Sequence, residues 1–528
     1  MVGLVAPPRL DDEGQPIPRK AVERVGSWGR FRDLYGRATA WALPEAQQAL
    51  QNGVFELVVT EVSSGVAASA GAVYSVDNDN EDWLTFNFRC KGTAGNGLSL
   101  ELTPKRFQNR VQSYELTIKD GSEVIESHRN LSPLPGSSRF VGAVLDASDS
   151  LVSAAVANHA VTDYSTADVL STDAHSTVVA KIGNEDMLTV FKLDSGTPDV
   201  EFKRVGSAEG DRIEVKRDPG GGGEVLLFGG LEADPKVLGA LADALNSEVD
   251  LAVELVAAGG SSSLAGGVDA TVAEYTTALD QLVDVPDVDL VIASVQDLDL
   301  TRGAQIYGAV IAHCENMSAD AKGRLGFGQV PATTTDAENI DLVGSLVSDR
   351  FALFAPNGVM GAAVGRIGSL SYYQSPTFKS LAGLGAIEPE LRTEQQRAYL
   401  KAKLVPIAEL PGRGNVVVRG ITTDGDQINV RRVADHAVRG VKQIGELFIG
   451  KLNTEDGRNA LKQKLNEFLL QMAAESAIVP STDGTDPAFK LDVYSTQADF
   501  ALGIVRVDLA VRPVRAIDFI YATVLVQV

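Results

Sequence analysis

The spacing of hydrophobic positions changes twice along the chain, and the changes divide it into parts. Residues 1–22 carry Pro7, Pro8, Pro16 and Pro18 among charged residues and read as an extended arm with no core of its own. Val25, Phe31 and Leu34 then lead into Tyr35-Gly36, a short helix is expected over Pro44–Leu50, Asn52-Gly53 reads as a turn, and Phe55–Thr60 reads as a buried strand. From about Asp77 to Gly260 the pattern becomes short alternating runs between Gly, Asn, Asp and Pro turns. Trp83–Phe88, Leu98–Leu102 and Tyr114–Ile118 are the clearest of these runs. A weak internal repeat lies within this stretch. Asn80–Thr85 recurs as Asn184–Thr189, Phe88–Leu102 is echoed over Phe202–Val215, and helix-like segments follow at Ala147–Ala157 and Pro235–Ser247. Gly220–Gly223 reads as a flexible turn and Gly259–Ser263 as a linker.

After that linker the periodicity becomes that of an α/β protein. Val272–Val283 places Tyr275, Leu279 and Leu282 on one helical face, Val288–Ala293 is the strand after it, residues 301–318 predict a second helix, and Arg350–Phe354 another strand. Asp456–Ala477 is the clearest helix, with Leu461, Leu465, Phe468, Leu469 and Met472 on one face and Thr454 as its N-cap. Val505, Val507, Leu509 and Val511 alternate with polar residues, as expected of a strand with one wet face. Ile517–Val528 closes the sequence with one acid, Asp518, among β-branched, aromatic and neutral residues. Such a segment must be paired, because an open hydrophobic edge invites aggregation. It pairs either within its own domain or by adding to a neighbour's sheet.

Length and composition narrow the classes. The 528 residues suffice for about three domains at roughly 100–200 residues each. At 44% hydrophobic and 22% charged the chain resembles an ordinary globular protein. No apolar run is long enough for a membrane helix, and the start lacks the pattern of a signal peptide. A net charge of −23 argues against binding to a phosphate backbone. The acid is concentrated: residues 76–270 hold 31 acidic and 16 basic residues, whereas residues 401–528 hold 15 and 16. The middle therefore reads as a solvated outer surface. Two cysteines, Cys90 and Cys314, exclude a disulfide framework and fit a reducing compartment.

Catalytic and cofactor signatures are missing from the sequence, and no cofactor or metal is expected. His128, His159, His175, His313 and His436 form no metal spacing. His313 and Cys314 are adjacent on a helix and point about 100° apart, poorly placed as base and nucleophile. The glycine clusters lack the Lys-Ser/Thr of a phosphate loop. Asp77–Asp82 begins like a calcium loop, but Asp82 and Phe88 stand where glycine and a bidentate Glu are required.

Several segments, in order, resemble the contractile tail sheath proteins of myophages and related injection systems. Val25–Phe31 with Leu34-Tyr35-Gly36 is similar to that family's early Ser-x-x-x-Phe…Phe-Gly segment, and Asn52-Gly53 before Leu57-Val58-Val59 to its Asn-Gly-Gly turn and strand. Gly95–Leu100 resembles the Gly-Asn-x-Leu motif of its outer domain, and Val124–Glu126 with Asn130–Ser132 the stretch after it. Leu264–Asp269 resembles the Leu-x-Gly-Gly-x-Asp return to the core, Ala312–Glu315 has a family look, Ile428–Arg432 is similar to the Asn-Val-Arg-Arg segment before a long helix, and Pro513–Ile520 to the terminal Pro-x-x-Pro-x-Glu-Phe-Ile run. The resemblance covers residues 25–150 and 264–528. The family's N-terminal Pro-Gly-Val-Tyr strand is missing, its Trp-Gly-x-Arg-Thr is present only as Val418–Thr423, and residues 165–260 match no segment of it.

The resemblance implies an α+β/α/β multidomain fold: a discontinuous α/β core with a large β-rich outer insertion, in which two tandem β-rich domains are expected. The expected parts are an arm over 1–22, core over 23–75 and 264–528, insertion domains over 76–160 and 161–263, and a strand-donating segment over 513–528. It implies a structural subunit, not an enzyme, assembling as stacked hexameric rings around an inner tube and contracting without nucleotide. Expected partners are further copies of the chain, the tail tube protein, and the baseplate and tail terminator proteins, with no nucleic-acid binding and no membrane insertion. It would act in a virion tail or phage-like particle assembled in the bacterial cytoplasm. Ile517, Phe519, Ile520, Tyr521, Val524 and Val526 are the expected inter-subunit strand, Arg458, Lys462 and Lys464 the candidate tube-facing cations, and Gly503 and Pro513 the candidate hinges. Two readings from other classes stay open on sequence: an enzyme with an Asp/Glu pair in the acidic region 76–263, and an adhesin of tandem β domains.

Overall fold

Four consecutive strands with buried, nearly continuous apolar runs build the centre of the α/β part. The computed structural model describes residues 1–528 except 9–14, 16, 64, 76–81, 157–162, 165–166, 171–175, 183–184, 194–197, 206–211, 219, 230–235, 249–250, 257–258 and 519–528. Two units are resolved by their internal contacts, one of Met1–Leu34, Leu43–Ser64 and Ala270–Val528, the other of Tyr35–Ala42 and Gly65–Asp269.

In the first unit a five-stranded sheet runs in the order Leu290–Ile292, Leu325–Gln329, Phe351–Ala355, Val405–Leu410, Gly414–Val417. The first four strands are parallel and the last is antiparallel. Parallel strands need crossovers, which the helices Leu300–Ala319, Asp336–Ser345, Met360–Ser369 and Thr393–Lys401 supply. A strand buried on both faces is apolar throughout, as Phe351–Ala355 is. Gly326 and Gly328 let the long helix come close: a Cβ at 328 would lie 2.8 Å from the Tyr307 ring, and one at 326 would lie 2.5 Å from Val310. Tyr307 in turn donates its hydroxyl to the Gln329 carbonyl at 3.1 Å.

The beginning of the chain departs from the expected arm. Val2–Leu4 is a buried strand, parallel to Leu57–Val62, which also pairs antiparallel with Val22–Val25. Val2 and Leu4 fill the same core cluster as Tyr275, Leu279, Leu282 and Val310. The prolines and charges that follow concealed these short apolar residues. The strand expected at Phe55 begins at Leu57, and Phe55 is 91% exposed.

The helix pair Ile428–Glu446 and Glu455–Ala474 follows. Leu461, Leu465, Leu469 and Met472 are buried as their spacing required, and Thr454 accepts from the Gly457 N–H at 3.1 Å. Gly440 admits Phe468 of the second helix, whose ring would lie 2.2 Å from a Cβ there.

The second unit is mainly antiparallel sheet. Seven strands run in the order Glu123–Leu131, Arg110–Asp120, Ser99–Phe107, Gly260–Ala265, Ala67–Ser75, Asp82–Lys91, Val152–Val156. Two four-stranded sheets come from residues 163–255, with the helix Lys236–Asn246. Two sequence expectations are corrected here. The helix expected over Ala147–Ala157 is instead the end of a helix, Val141–Ala147, followed by the strand Val152–Val156, and Asp149 at φ 52° turns the chain between them. The linker expected over Gly259–Ser263 is a strand between two others. Its small residues admit close neighbours: a Cβ at Gly259 would meet the Leu102 carbonyl at 2.6 Å. The two repeat copies both contain strands, Asp82–Lys91 and Glu185–Lys192, but in sheets of different strand number and order.

Candidate assembly site

The chemistry of this site belongs to backbone edges. Phe489–Tyr494 and Arg506–Val511 form an antiparallel hairpin, in register from Phe489 opposite Val511 to Tyr494 opposite Arg506. Leu491, Val493, Val507, Leu509 and Val511 pack with Leu461, Leu465, Leu469 and Met472 of the helix pair, so one face is held. That packing matters, because a two-stranded hairpin alone is marginal in water. The other face carries Lys490, Asp492 and Asp508, all exposed. Among the described residues no third strand joins either outer edge, leaving rows of peptide donors and acceptors as a template for added strands.

The chain continues from this hairpin into a fixed exit. Pro513 bridges to Ile478, flanked by Val479 N–H to the Arg512 carbonyl at 3.0 Å and Val514 N–H to the Ala477 carbonyl at 2.9 Å. Asn429, fully buried, donates its side-chain amide to the Val514 carbonyl at 3.1 Å. The side chain of Gln427 then pairs with both peptide groups of Ala516: its Nε2 donates to the carbonyl at 3.0 Å and its Oε1 accepts from the N–H at 2.8 Å. Nε2 also donates to the Asp518 carboxylate at 2.7 Å, where Arg419 Nε donates at 2.8 Å and Thr377 Oγ1 at 3.3 Å. The Asp518 side chain is 5% exposed, although Ile517 beside it is 79% exposed.

The other sequence candidates are distributed differently. Phe519, Ile520, Tyr521, Val524 and Val526 lie outside the described residues. Arg458 donates to the Asn453 carbonyl and side chain, Lys462 pairs with Asp492 at 3.0 Å, and Lys464 with Glu467 at 2.7 Å. Gly503 takes φ 71° in the hairpin loop with open space around it, whereas Pro513 is held within backbone pairing. At the hairpin-loop end, Leu447, Ile449, Leu452 and Leu502 are strongly exposed. Apolar exposure of this kind marks contact surfaces. The sequence reading passed over Gln427, Arg419 and Asp518 as site residues. Arg419, Asn429 and Asp518 carried a signal only as members of the segments Val418–Thr423, Ile428–Arg432 and Pro513–Ile520, and Gln427 carried none.

His313 and Cys314 have structural work. Arg324, buried, donates to His313 Nε2 at 2.8 Å and to the carbonyls of Leu282 and Val285. Burial, and then the Arg324 charge, push the His313 pKa down to about 4. Burial pushes the Cys314 thiol up to about 12. Both cysteines are buried. The segment Asp77–Asp82 lies, apart from Asp82, outside the described residues. Among the described residues no three His, Cys, Asp or Glu side chains are grouped to hold a metal ion, and no helix is long and apolar enough to cross a membrane.

No family model matches the chain, and no curated protein matches it. In solved structures it is similar to a sheath tail protein from Desulfitobacterium hafniense, at 12% identity over 98% of this chain and 93% of that one, with a TM-score of 0.45. It is similar to a sheath tail protein from Listeria innocua, at 10% identity over 98% and 91%, TM-score 0.45. A third similarity is to the contracted sheath complex of an extracellular contractile injection system, at 18% identity over 51% and 76%, TM-score 0.41.

Proposed function

We propose that this chain is a structural subunit of a contractile tail sheath. Copies assemble as stacked hexameric rings around an inner tail tube, and the sleeve contracts to drive the tube through a target envelope. The observation that carries the reading is the C-terminal module: a two-stranded hairpin whose outer edges no third strand joins among the described residues, followed by an apolar segment whose root is pinned at Asp518. A hairpin of that kind is an acceptor for β-augmentation, and residues 519–528 have the composition of a donor. The ordered sequence segments that resemble sheath proteins support the same conclusion.

In this reading Phe519, Ile520, Tyr521, Val524 and Val526 form the strand given to a neighbour, with Ile517 at its root, and the acidic unit lies outward. Work comes from new subunit contacts summed over many copies, with strand ladders kept intact while the loops between them turn. Tube contact through Arg458, Lys462 and Lys464 requires those cations to exchange their present partners within the chain. Neutralising all three without loss of tube binding dismisses that contact. Baseplate and terminator proteins complete the set of partners, in a phage tail or a phage-like particle assembled in the bacterial cytoplasm.

Electron microscopy of the purified chain over a concentration series, with and without residues 519–528, tests the reading. Stacked rings or tubes with six-fold end views that depend on those residues are expected. Compact monomers at every concentration, with tube protein added, contradict it.

A further inference from the structure

We infer that Gln427 and Asp518 form a clamp that positions the donated C-terminal segment, so that a second copy of this chain receives it only while the clamp is closed. The inference rests on the strand-donation reading above and deepens it. Extended chain normally gets its direction from a sheet ladder. Residues 513–518 have pairing to 477–479 only at their start. Beyond Val514 the pairing is made by side chains. Gln427 presents an amide to Ala516 in the sense a neighbouring strand would, with one donor and one acceptor, and its second N–H fastens Asp518.

Burial makes these contacts consequential. Gln427 is 5% exposed and the Asp518 side chain equally so. Removing Asp518 would leave one buried Gln427 N–H without its acceptor, and removing Gln427 would strip both Ala516 peptide groups of their partner and take one of three donors from the carboxylate. Arg419 and Thr377 hold the other side of the carboxylate, and Thr377 is itself held by accepting from the Gly420 N–H at 3.1 Å. Arg515 adds an outer tie to Asp426 at 2.7 Å. Four stretches of the unit, at Thr377, Arg419, Asp426–Asn429 and Ala477–Val479, thus converge on the six residues 513–518. A hinge at Pro513 would have to break this set, so the chain leaves the unit after Asp518, and Ile517, 79% exposed between two held residues, is the root of the strand rather than part of what is given. Both Gln427 and Asp518 are positioning residues: they touch the segment's root, not the partner.

A fixed root is useful for trans pairing, because the ordering of the donor's first residues is completed before association and is not charged to binding. It also sets register, since a slip of one residue turns every side chain to the other face.

The test uses the full chain with Gln427→Ala, Asp518→Ala and a deletion of 519–528, each read three ways. Trypsin reports the clamp itself: the Arg515–Ala516 bond, whose N–H is held by Gln427, is expected to be cut at least tenfold faster in both alanine variants of the dispersed chain. Thermal unfolding reports the fold and is expected to shift little. Sedimentation reports self-association, expected to weaken at least tenfold in both variants and to vanish in the deletion. Association unchanged in the alanine variants but lost in the deletion overturns the clamp and leaves strand donation standing. Association unchanged in the deletion overturns strand donation and the clamp with it. Where an alanine variant does not fold, Asp518→Asn, which keeps the shape and removes the charge, carries the same readings. Equal loss of thermal stability and association in Asp518→Asn, without faster cutting at Arg515, also overturns the clamp.

Discussion

Arg350 and Asp435 form a buried ion pair that joins the α/β sheet to the helix pair. Arg350 stands at the start of the Phe351–Ala355 strand, Asp435 lies on the Ile428–Glu446 helix, and Nη1 of the arginine is 2.6 Å from Oδ1. Both side chains are about one-tenth exposed. The same helix sends Arg432 to the carbonyls of Ile367 and Leu370, and Arg439 to the Gly323 carbonyl. Its basic residues therefore dock the module that carries the hairpin.

Removing one partner of this pair leaves an uncompensated buried charge. Arg350→Ala or Asp435→Ala is expected to cost about 3–5 kcal/mol, while replacing both with apolar residues of similar volume costs much less. Urea unfolding of the two single variants and the double variant checks this. Equal losses in all three would show that the pair does not act as a unit.

The Met360–Ser369 helix packs backbone to backbone on the Pro44–Gln51 helix through Gly361 and Gly365. A Cβ at 361 would lie 2.4 Å from the Cα of Glu45, and one at 365 would lie 2.5 Å from the Ala49 carbonyl oxygen. Helix propensity favours Gly→Ala by about 1 kcal/mol in such positions. Overpacking against a backbone that cannot yield costs about 1–3 kcal/mol and is expected to win. Gly361→Ala should therefore lower the thermal midpoint, whereas Ala at the open position Gly344 should not.

His313 gives the fold an acid dependence. Neutral Nε2 accepts from Arg324, and protonation would place two cations in contact within a buried site. The folded pKa is depressed to about 4 from an ordinary value near 6.5, so the unfolded chain binds the extra proton first. The contribution is complete above pH 6.5 and is lost as pH falls through about 4. Replacing His313 with Gln, whose carbonyl accepts the same bond, should flatten the stability profile between those values. An unchanged slope would place the acid response elsewhere.

Neither cysteine should react in the native chain. Cys90 and Cys314 are completely buried, and the Cys314 thiol, raised to about 12, holds its proton at neutral pH. A maleimide reagent should modify no thiol before unfolding and two afterwards. Rapid native labelling of either would contradict the packing of Cys314 against Gly326 or of Cys90 in its sheet.

The legible parts of this fold were those whose burial follows a period. Leu461, Leu465, Leu469 and Met472 announced their helix, and Val507, Leu509 and Val511 their strand, because one face of each is covered. Glycine- and serine-rich Gly260–Ala265 was opaque: small residues signify both a loop and a strand with close neighbours. Val2–Leu4 was hidden because three residues hold no period. Gln427 and Asp518 were not legible as a pair, since 91 positions separate them in sequence. Their value depends on burial that no local pattern reports.

Negative-stain electron microscopy of the intact chain beside the chain lacking residues 519–528 tests the central claim most directly. Stacked rings or tubes with six-fold end views from the intact chain, and only dispersed subunits from the shortened one, are the expected result. Identical compact particles from both, at every concentration and with tube protein present, would contradict the sheath assignment.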